Sequence, residues 1–352
     1  MSLALCRHAL TRGHACTLAY AEPGDMVEAY ASAGASTHAL PVFPLAVRHP
    51  GTAWRSIRSL VRLVRSTNAE WIITSQVSYV SLLALVGKLT RTRTAVHLGL
   101  PFAFPSPLFG YGMRHVTLGI TPSPHTAESW KQRGWPEKRL RIIPNGVDTS
   151  MFNSRVSRQQ SRAEIGISPD KGALVSYVGR IVAPKGVHTL LRAFASWRKS
   201  TNTGLLLFVG HAQADEITAL RQLAAQLDLP DDAWEIRPPT NQPESFYRAA
   251  DLVVVPSEWD EPFGLAPLEA MACGTLAVVS DRGVMPEFVA PLGSACVFQS
   301  GNAHSLEERL INWLSNSPAR DNAATQMAEY ITNRYGFAHC GDAYLEAFGG
   351  AH

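Results

Sequence analysis

Short apolar runs alternate with amphipathic stretches along almost the whole chain. The runs in the first half predict strands at Ala15–Ala19, Trp71–Thr74, Thr94–Leu98 and Val116–Thr121. Helical spacing predicts helices near Leu3–Thr11, Ala53–Arg65, Ser78–Leu89 and His125–Arg133. Apolar strands separated by helices are typical of parallel sheets that are covered on both faces. The sequence therefore predicts an α/β fold.

The second half repeats this pattern after a polar, irregular stretch between about Asp148 and Gly172, which is typical of a domain boundary. Its strands are predicted at Leu174–Val178, Leu205–Val209, Ala233–Ile236, Leu252–Val255, Leu276–Ser280 and Ala295–Phe298. The tail from Ala319 to Phe348 is predicted as helical. Since 352 residues exceed one ordinary core, we expect two Rossmann-like domains.

Composition excludes several classes of protein. The five cysteines are scattered without a C-x-x-C pair, which argues against a zinc site and a disulfide framework. No apolar run reaches the roughly 20 residues that a membrane span needs. Arg7 and His8 interrupt the first apolar stretch too early for a signal peptide. The expectation is a cytoplasmic protein with reduced thiols.

The net charge of +3 is unevenly distributed, because Lys and Arg dominate the first 145 residues and Asp and Glu the rest. Such an uneven charge distribution is found on surfaces that bind anionic lipid, phosphate or nucleic acid, and equally on ordinary solvated surfaces. The helix Trp54–Ser66 carries arginines at helical spacing, namely Arg55, Arg58, Arg62 and Arg65. It could lie on an anionic membrane, or simply pack its apolar stripe on a sheet.

A first motif with chemical content is VSYVGRIVAPKG, Val175–Gly186. A strand runs into Gly179, which permits a tight turn. Arg180 and Lys185 follow, where a diphosphate could receive two cations. Taken alone, two basic residues in a loop are more often solvated.

A second motif is PSEWDEPFGLAPLEAMACG, in which a strand ends at Pro256 and a helix is predicted near Leu265. The backbone amides of Phe263, Gly264 and Leu265 would be donors without helical partners, which favours an anion. Glu261 and Glu269 could meet one ligand from a loop and a helix, or could be a surface and a structural carboxylate. A glycosidase-like acid and nucleophile pair is a third option.

Four segments together resemble glycosyltransferase family 4. They are IIPNGVD, VGRIVAPKG, AADLVVVPSEWDEPFGLAPLEAMACG and DRGVMPEFV, and they occur in the family's order between Ile142 and Val289. The resemblance implies a retaining enzyme of the GT-B fold that uses a nucleotide sugar as donor. It implies two facing Rossmann-like domains at 1–150 and 151–330, with a helix in 331–352 that packs back on the first domain. No metal, cofactor or nucleic-acid partner is implied, and the acceptor is not identified.

The resemblance also assigns roles. Arg180 and Lys185 match the family's diphosphate-binding pair, with Gly179 at the turn before them. Glu261 matches the glutamate that contacts the hydroxyls of the donor sugar, and Glu269 matches the one that holds the ribose. The remaining donor-binding positions are the amides of Phe263, Gly264 and Leu265, and His97 resembles the cleft histidine near the transferred sugar.

The chain departs from the family at its start, where the helix and second strand match but the first strand and glycine-rich loop are missing. We therefore expect a vacant strand position in the first domain's sheet. An alternative function follows, which is a non-catalytic subunit that binds a sugar nucleotide or a partner. An epimerase or phosphorylase on the same fold fits the motifs less well. The loop Gly99–Gly112 either lines the acceptor side or packs as a hydrophobic loop.

Overall fold

The computed structural model describes residues 2–40, 50–99 and 107–349 and divides into two compact units. Unit 1 is Met1–Gly146 with Phe337–His352, and unit 2 is Val147–Gly336. Up to residue 146 the elements are α1 Ser2–Thr11, β1 Thr17–Tyr20, α2 Asp25–Ser32, β2 Ser36–Ala39, α3 Pro50–Thr67, β3 Trp71–Thr74, α4 Val80–Thr90, β4 Arg93–His97, α5 Pro107–His115, β5 Leu118–Thr121, α6 Pro124–Gln132 and β6 Leu140–Ile142.

The second unit continues the alternation. Its elements are α7 Arg158–Glu164, β7 Leu174–Val178, α8 Val187–Thr201, β8 Leu205–Val209, α9 Ala214–Gln226, β9 Trp234–Arg237, α10 Pro243–Ala249, β10 Leu252–Val255, α11 Ala266–Ala272, β11 Ala277–Ser280, α12 Met285–Phe288, β12 Val297–Phe298, α13 Ala303–Leu314 and α14 Ser317–Tyr335. The last helix, α15 Phe337–Gly349, belongs to unit 1.

Unit 2 is built on one parallel sheet of strand order β12-β11-β10-β7-β8-β9. Every residue of β8, β10 and β11 is buried, because helices cover both faces, and this explains why these strands are apolar without alternation. The strand order reverses between β7 and β10, which is the arrangement of a doubly wound fold.

Unit 1 holds two parallel sheets in its described residues, β1-β2 and β3-β4-β5-β6. In the helix α1, Leu5 belongs to the same apolar cluster as Ala95 and Leu118 of the larger sheet, while the carbonyl of Cys6 accepts from the Cys16 thiol just before β1.

Helix starts follow from capping residues that the sequence contains. The side chains of Ser123, Ser157, Asn302 and Asn316 each accept a hydrogen bond from a backbone N–H in the first turn of α6, α7, α13 and α14. These contacts satisfy donors that have no helical acceptor. Within the described ranges no helix is long and apolar enough to cross a membrane.

The structure refines two sequence-based expectations. The division between the units, at Gly146 and Val147, lies just before the predicted boundary stretch Asp148–Gly172. The stretch itself belongs to unit 2 and contains α7, whose Arg162 donates to the carbonyls of Ala249 and Gly172. The tail is helical as predicted, and it forms two helices. Gly336 separates α14 from α15, and a Cβ atom on it would lie 2.4 Å from the Thr332 carbonyl oxygen.

Candidate functional site

The carboxyl ends of β7 and β10 lie side by side at the point where the strand order of unit 2 reverses. The segments that leave these two strands are Gly179–Gly186 and Pro256–Leu265. They carry all the predicted site residues except Glu269, which lies in the following helix α11, and His97, which lies in unit 1. A crevice at the switch point is where doubly wound sheets bind ligands, so the fold itself selects this edge.

The two predicted phosphate-binding cations differ in their contacts. Arg180 is exposed, and its guanidinium makes no hydrogen bond or ion pair to any residue that the structure describes. The ammonium of Lys185 bonds to Oε1 of Glu261 and lies 5.1 Å from the centre of the Trp259 ring. One cation is therefore free for a ligand, and the other is held beside a carboxylate.

Gly186 fixes the loop that presents Lys185. Its φ of +73° is in the left-handed region, and a Cβ atom there would lie 1.8 Å from the carbonyl oxygen of Pro256. The N–H of Glu258 also donates to the carbonyl of Pro184 at 2.9 Å. The segments after β7 and β10 are thus packed directly against each other, which is possible only without a side chain at this position.

The carboxylate of Glu261 is buried and asymmetric in its contacts. Its Oε1 accepts from Lys185, from the hydroxyl of Ser257 at 2.7 Å and from the indole N–H of Trp259 at 3.0 Å. Its Oε2 has no hydrogen-bond partner among the residues that the structure describes. One oxygen is held by the protein, and the other is available to a ligand.

Glu269 shows the same asymmetry in another setting. The Tyr247 hydroxyl donates to its Oε2 at 2.9 Å, while Oε1 has no partner in the described part of the chain. Burial raises the pKa of Glu269, although the hydrogen bond from Tyr247 opposes this effect. Both carboxylates therefore present one oxygen each.

The side chain of Phe263 does not belong to the site's polar surface. It is buried, with its ring 5.0 Å from that of Phe288, centre to centre. The N–H groups of Phe263, Gly264 and Leu265 find no acceptor in the described residues, which leaves them as donors ahead of α11, as predicted.

His97 ends β4 in unit 1. Its Nδ1 lies 3.0 Å from the hydroxyl of Tyr344 on α15. Burial lowers the pKa of His97 to about 4, so the imidazole is neutral near pH 7. The last helix therefore orients this histidine.

Sequence reasoning missed the residues that support the predicted ones. Ser257, Trp259 and Tyr247 hold the two carboxylates, and no spacing rule singles them out. Gly283 was noted only as part of a motif. A Cβ atom on it would lie 2.4 Å from the carbonyl oxygen of Glu261, so this glycine allows the loop after β11 to pack against the Glu261 backbone.

The remaining expectations have mixed outcomes. Of the loop Gly99–Gly112, residues 100–106 lie outside the described residues, and Phe109 is buried beside Trp130 at 6.5 Å between ring centres. The five cysteines are all unpaired in the structure. No cluster of three or more metal-ligating side chains is found in the described ranges.

Two family descriptions match the chain. One is glycosyltransferase family 4 at residues 2–151, and the other is glycosyl transferases group 1 at residues 157–334. The chain is 32% identical to the D-inositol 3-phosphate glycosyltransferase of Segniliparus rotundus over 215 residues, which is 60% of this chain and 47% of that protein. The protein of the same name from Mycolicibacterium smegmatis is 33% identical over 216 residues, with coverages of 60% and 47%. The chain spans about half the length of these curated relatives.

Solved structures show the fold. The Anabaena protein Alr3699/HepE in complex with UDP superimposes with a TM-score of 0.85 at 17% identity, covering 99% of this chain and 96% of that one. A glycosyltransferase from Rickettsia africae gives a TM-score of 0.87 at 14% identity, covering 99% and 93%. These likenesses confirm the predicted GT-B fold.

Proposed function

Because this chain belongs to the group 1 glycosyltransferases of family 4, we propose that it transfers a sugar from a nucleoside diphosphate to an acceptor hydroxyl and retains the anomeric configuration. The observation that carries this proposal is the cluster at the switch point of unit 2, where Arg180 and Lys185 follow β7 and Glu261 follows β10. The contacts of these three residues favour a working transferase over a non-catalytic subunit.

The leaving diphosphate is the group that needs most stabilisation. Breaking the bond between sugar and phosphate builds negative charge on the phosphate oxygens, and fixed cations and amides lower the energy of that state. Arg180 offers a planar fork that has no partner among the described residues, and Lys185 offers a point charge. The unpaired amides of Phe263, Gly264 and Leu265 add neutral donors. Because Arg180 and Lys185 supply the positive charge that the diphosphate needs, we expect turnover without a divalent metal.

The two carboxylates would recognise the hydroxyls of the donor. Oε2 of Glu261 is available to the transferred sugar, and Oε1 of Glu269 to the ribose. Hydrogen bonds to a carboxylate are about twice as strong as neutral ones, so each free oxygen fixes the donor's orientation. The raised pKa of Glu269 is consistent with a group that gains its partners only when a ligand arrives.

Retention requires attack from the face that the leaving group vacates. In the proposed reaction the acceptor oxygen bonds to the anomeric carbon as the bond between that carbon and the phosphate oxygen breaks. The departing phosphate takes the acceptor's proton. Glu261 has Oε1 occupied by three donors, which suits a binding role better than that of a nucleophile. The neutral His97 would act as a hydrogen-bond partner in unit 1.

The first test is thermal stabilisation by a panel of UDP-, GDP-, ADP- and dTDP-sugars, followed by transfer assays with and without a chelator. A donor at 100 times its Kd adds about 2.7 kcal/mol to the native state, which is at least about 5 °C in a domain of this size. UDP-glucose comes first, because Alr3699/HepE is described with it. Arg180→Ala should abolish the shift. Arg192→Ala, an exposed arginine on α8, is the matched control and should retain it. No shift with any donor would contradict the proposal.

We further propose that α3 touches an anionic membrane, which would place the protein at the inner membrane face. Arg55, Arg58 and Arg62 are exposed on a helix without acidic residues, and Trp54 is 63% exposed beside them. Such a face gains about 1 kcal/mol per basic residue near anionic lipid. The protein should sediment with phosphatidylserine vesicles at low salt but not with phosphatidylcholine vesicles, and Arg58→Glu with Arg62→Glu should prevent it. Equal sedimentation of variant and wild type would exclude this use of α3.

A further inference from the structure

The indole of Trp259 contacts both charged groups of the donor site. Its N–H donates to Oε1 of Glu261 at 3.0 Å, and its ring faces the ammonium of Lys185 at 5.1 Å from the ring centre. The ring is half-buried, while Glu261 is 6% exposed. A single side chain therefore links the proposed phosphate-binding cation with the proposed sugar-binding carboxylate.

We propose that Trp259 is a positioning residue that makes the site selective for a nucleotide sugar over the bare nucleotide. By donating to Oε1 it fixes the rotation of the Glu261 carboxylate, so that Oε2 faces the hydroxyls of the transferred sugar. The inference rests on the proposed function and concerns the same site.

Trp259 gains importance when a donor binds. The ammonium of Lys185 has a limited number of N–H bonds, and a diphosphate competes with Glu261 for them. As Lys185 turns toward phosphate, Oε1 depends on its two neutral donors, Ser257 and Trp259. Ser257 is buried, with 1% of its surface exposed. Trp259 is the half-buried donor, and its ring stays beside the ammonium through cation–π attraction.

The two contacts can be separated by substitution. Trp259→Phe keeps an aromatic face for Lys185 but has no N–H for Glu261. Trp259→Leu removes both. Trp313→Phe is the matched control, because Trp313 is also half-buried in unit 2 and donates its N–H at 2.8 Å, to the Ala295 carbonyl outside the site.

Calorimetric titration with UDP-glucose and with UDP alone then tests the role, using GDP, ADP and dTDP and their sugars if uridine is the wrong base. In Trp259→Phe the affinity for the nucleotide sugar should fall about tenfold, since one hydrogen bond to a charged group is lost, while the affinity for the bare nucleotide stays within about twofold. In Trp259→Leu both should weaken. Trp313→Phe should change neither.

The outcomes separate the two proposals. If the wild type binds none of the nucleotides, the proposed function fails and this inference falls with it. If the wild type binds and Trp259→Phe weakens sugar nucleotide and bare nucleotide equally, Trp259 has only a structural role and the inference is wrong. An unchanged preference for the sugar nucleotide in Trp259→Phe would also overturn it. Equal melting temperatures of the Phe variants would exclude misfolding as the cause.

Discussion

The two units are built from the same kind of strand, yet they bury it differently. In unit 2 the strands β8, β10 and β11 are buried at every residue. In unit 1 no residue of β1 or β3 is buried, and Ile73 in β3 is 48% exposed. The strands β1 and β3 belong to two separate sheets of unit 1. The comparison shows that an apolar run predicts a strand, whereas burial depends on the neighbours that the strand finds.

The ion pairs of the two units also differ in where they lie and in how far they are exposed. Unit 2 places the Lys185–Glu261 pair at the carboxyl ends of β7 and β10, and Asp251 with its arginines at the amino ends of the same strands. The central strands of a continuous sheet are rigid at both ends, and this suits a preorganised site. In unit 1, Asp342 pairs with His8 and Arg12 at an exposed position.

The largest expected effect is that of removing the Asp251 carboxylate. It forms ion pairs with Arg158 and Arg162 of α7 and with Arg320 of α14, and it accepts a hydrogen bond from the N–H of Leu174 at 2.7 Å. Because the side chain of Arg162 is only 15% exposed and Asp251 is its one ion-pair partner among the described residues, Asp251→Ala leaves a largely buried charge without its carboxylate, which costs about 3–5 kcal/mol. Urea unfolding of the variant should show this loss.

The control for Asp251 comes from the other unit. Asp342→Ala removes an exposed carboxylate that also bonds to two basic groups. Its effect on the free energy of unfolding should be within the error of the measurement, because solvent screens exposed pairs. Similar losses in the two variants would remove the electrostatic contrast between the units.

A second difference concerns two glycines with left-handed backbone. Gly186 in unit 2 has a φ of +73° and lies against the Pro256 carbonyl, whereas Gly13 in unit 1 has a φ of +84°, and no atom of the described residues lies within 4 Å of a Cβ atom placed on it. Gly186→Ala should cost about 3 kcal/mol and displace Lys185, since strain and a backbone clash add. Gly13→Ala should cost about 1 kcal/mol, from strain alone. Thermal unfolding measures the stability of the two variants, and nucleotide titration measures the displacement of Lys185. A small loss of stability in Gly186→Ala would show that the loops after β7 and β10 can separate.

A third prediction tests the sheets themselves. Val254→Thr in β10 places a hydroxyl in a fully buried position, which costs about 1–3 kcal/mol. Ile73→Thr in β3 changes a half-exposed position, where substitutions usually stay within about 0.5 kcal/mol. Denaturant midpoints compare the two variants. An equal or larger loss at Ile73 would mean that β3 is covered in solution.

The sequence predicted the strands of unit 2 well because each is short, apolar and bounded by a loop. Leu174–Val178, Leu205–Val209 and Leu252–Val255 agree with the structure residue for residue. In unit 1, α2 and β2 were not predicted. The strand Ser36–Ala39 has no buried residue and is not apolar enough to stand out. The periodicity of apolar residues reflects which positions are buried, so it does not reveal a strand or helix that is exposed.

Some residues of the candidate site could likewise be predicted from the sequence, and others could not. Arg180, Lys185, Glu261 and Glu269 were predicted as site residues because they match motifs of the family that the sequence resembles. Trp259 and Tyr247 were not found, because they act through contacts across the chain, Tyr247 with a carboxylate 22 positions away. The sequence therefore predicts candidates for contact with a ligand, and the structure is needed to identify the residues that hold those candidates in place.

The smallest expected effect is a dependence of unit 1 on pH. Burial lowers the pKa of His97 from its ordinary value of 6.5 to about 4, so between these values the unfolded chain binds more protons than the folded one. The contribution of neutral His97 is then complete above about pH 6.5 and is lost as the pH falls toward 4. Because the side chain is only half-buried, we expect a loss of about 1–2 kcal/mol.

Hydrogen exchange in β4 and β5 reports on this unit by itself and should show faster opening at pH 4.5 than at pH 7. His97→Gln keeps a group that can bond to Tyr344 but does not titrate, so opening in the variant should depend less on pH over this range. His304, whose side chain is 79% exposed in unit 2, provides the control: His304→Gln should follow the wild type. If His97→Gln and the wild type lose protection in parallel, the imidazole is not held neutral by its burial against α15, and unit 1 responds to acid through its exposed ion pairs instead.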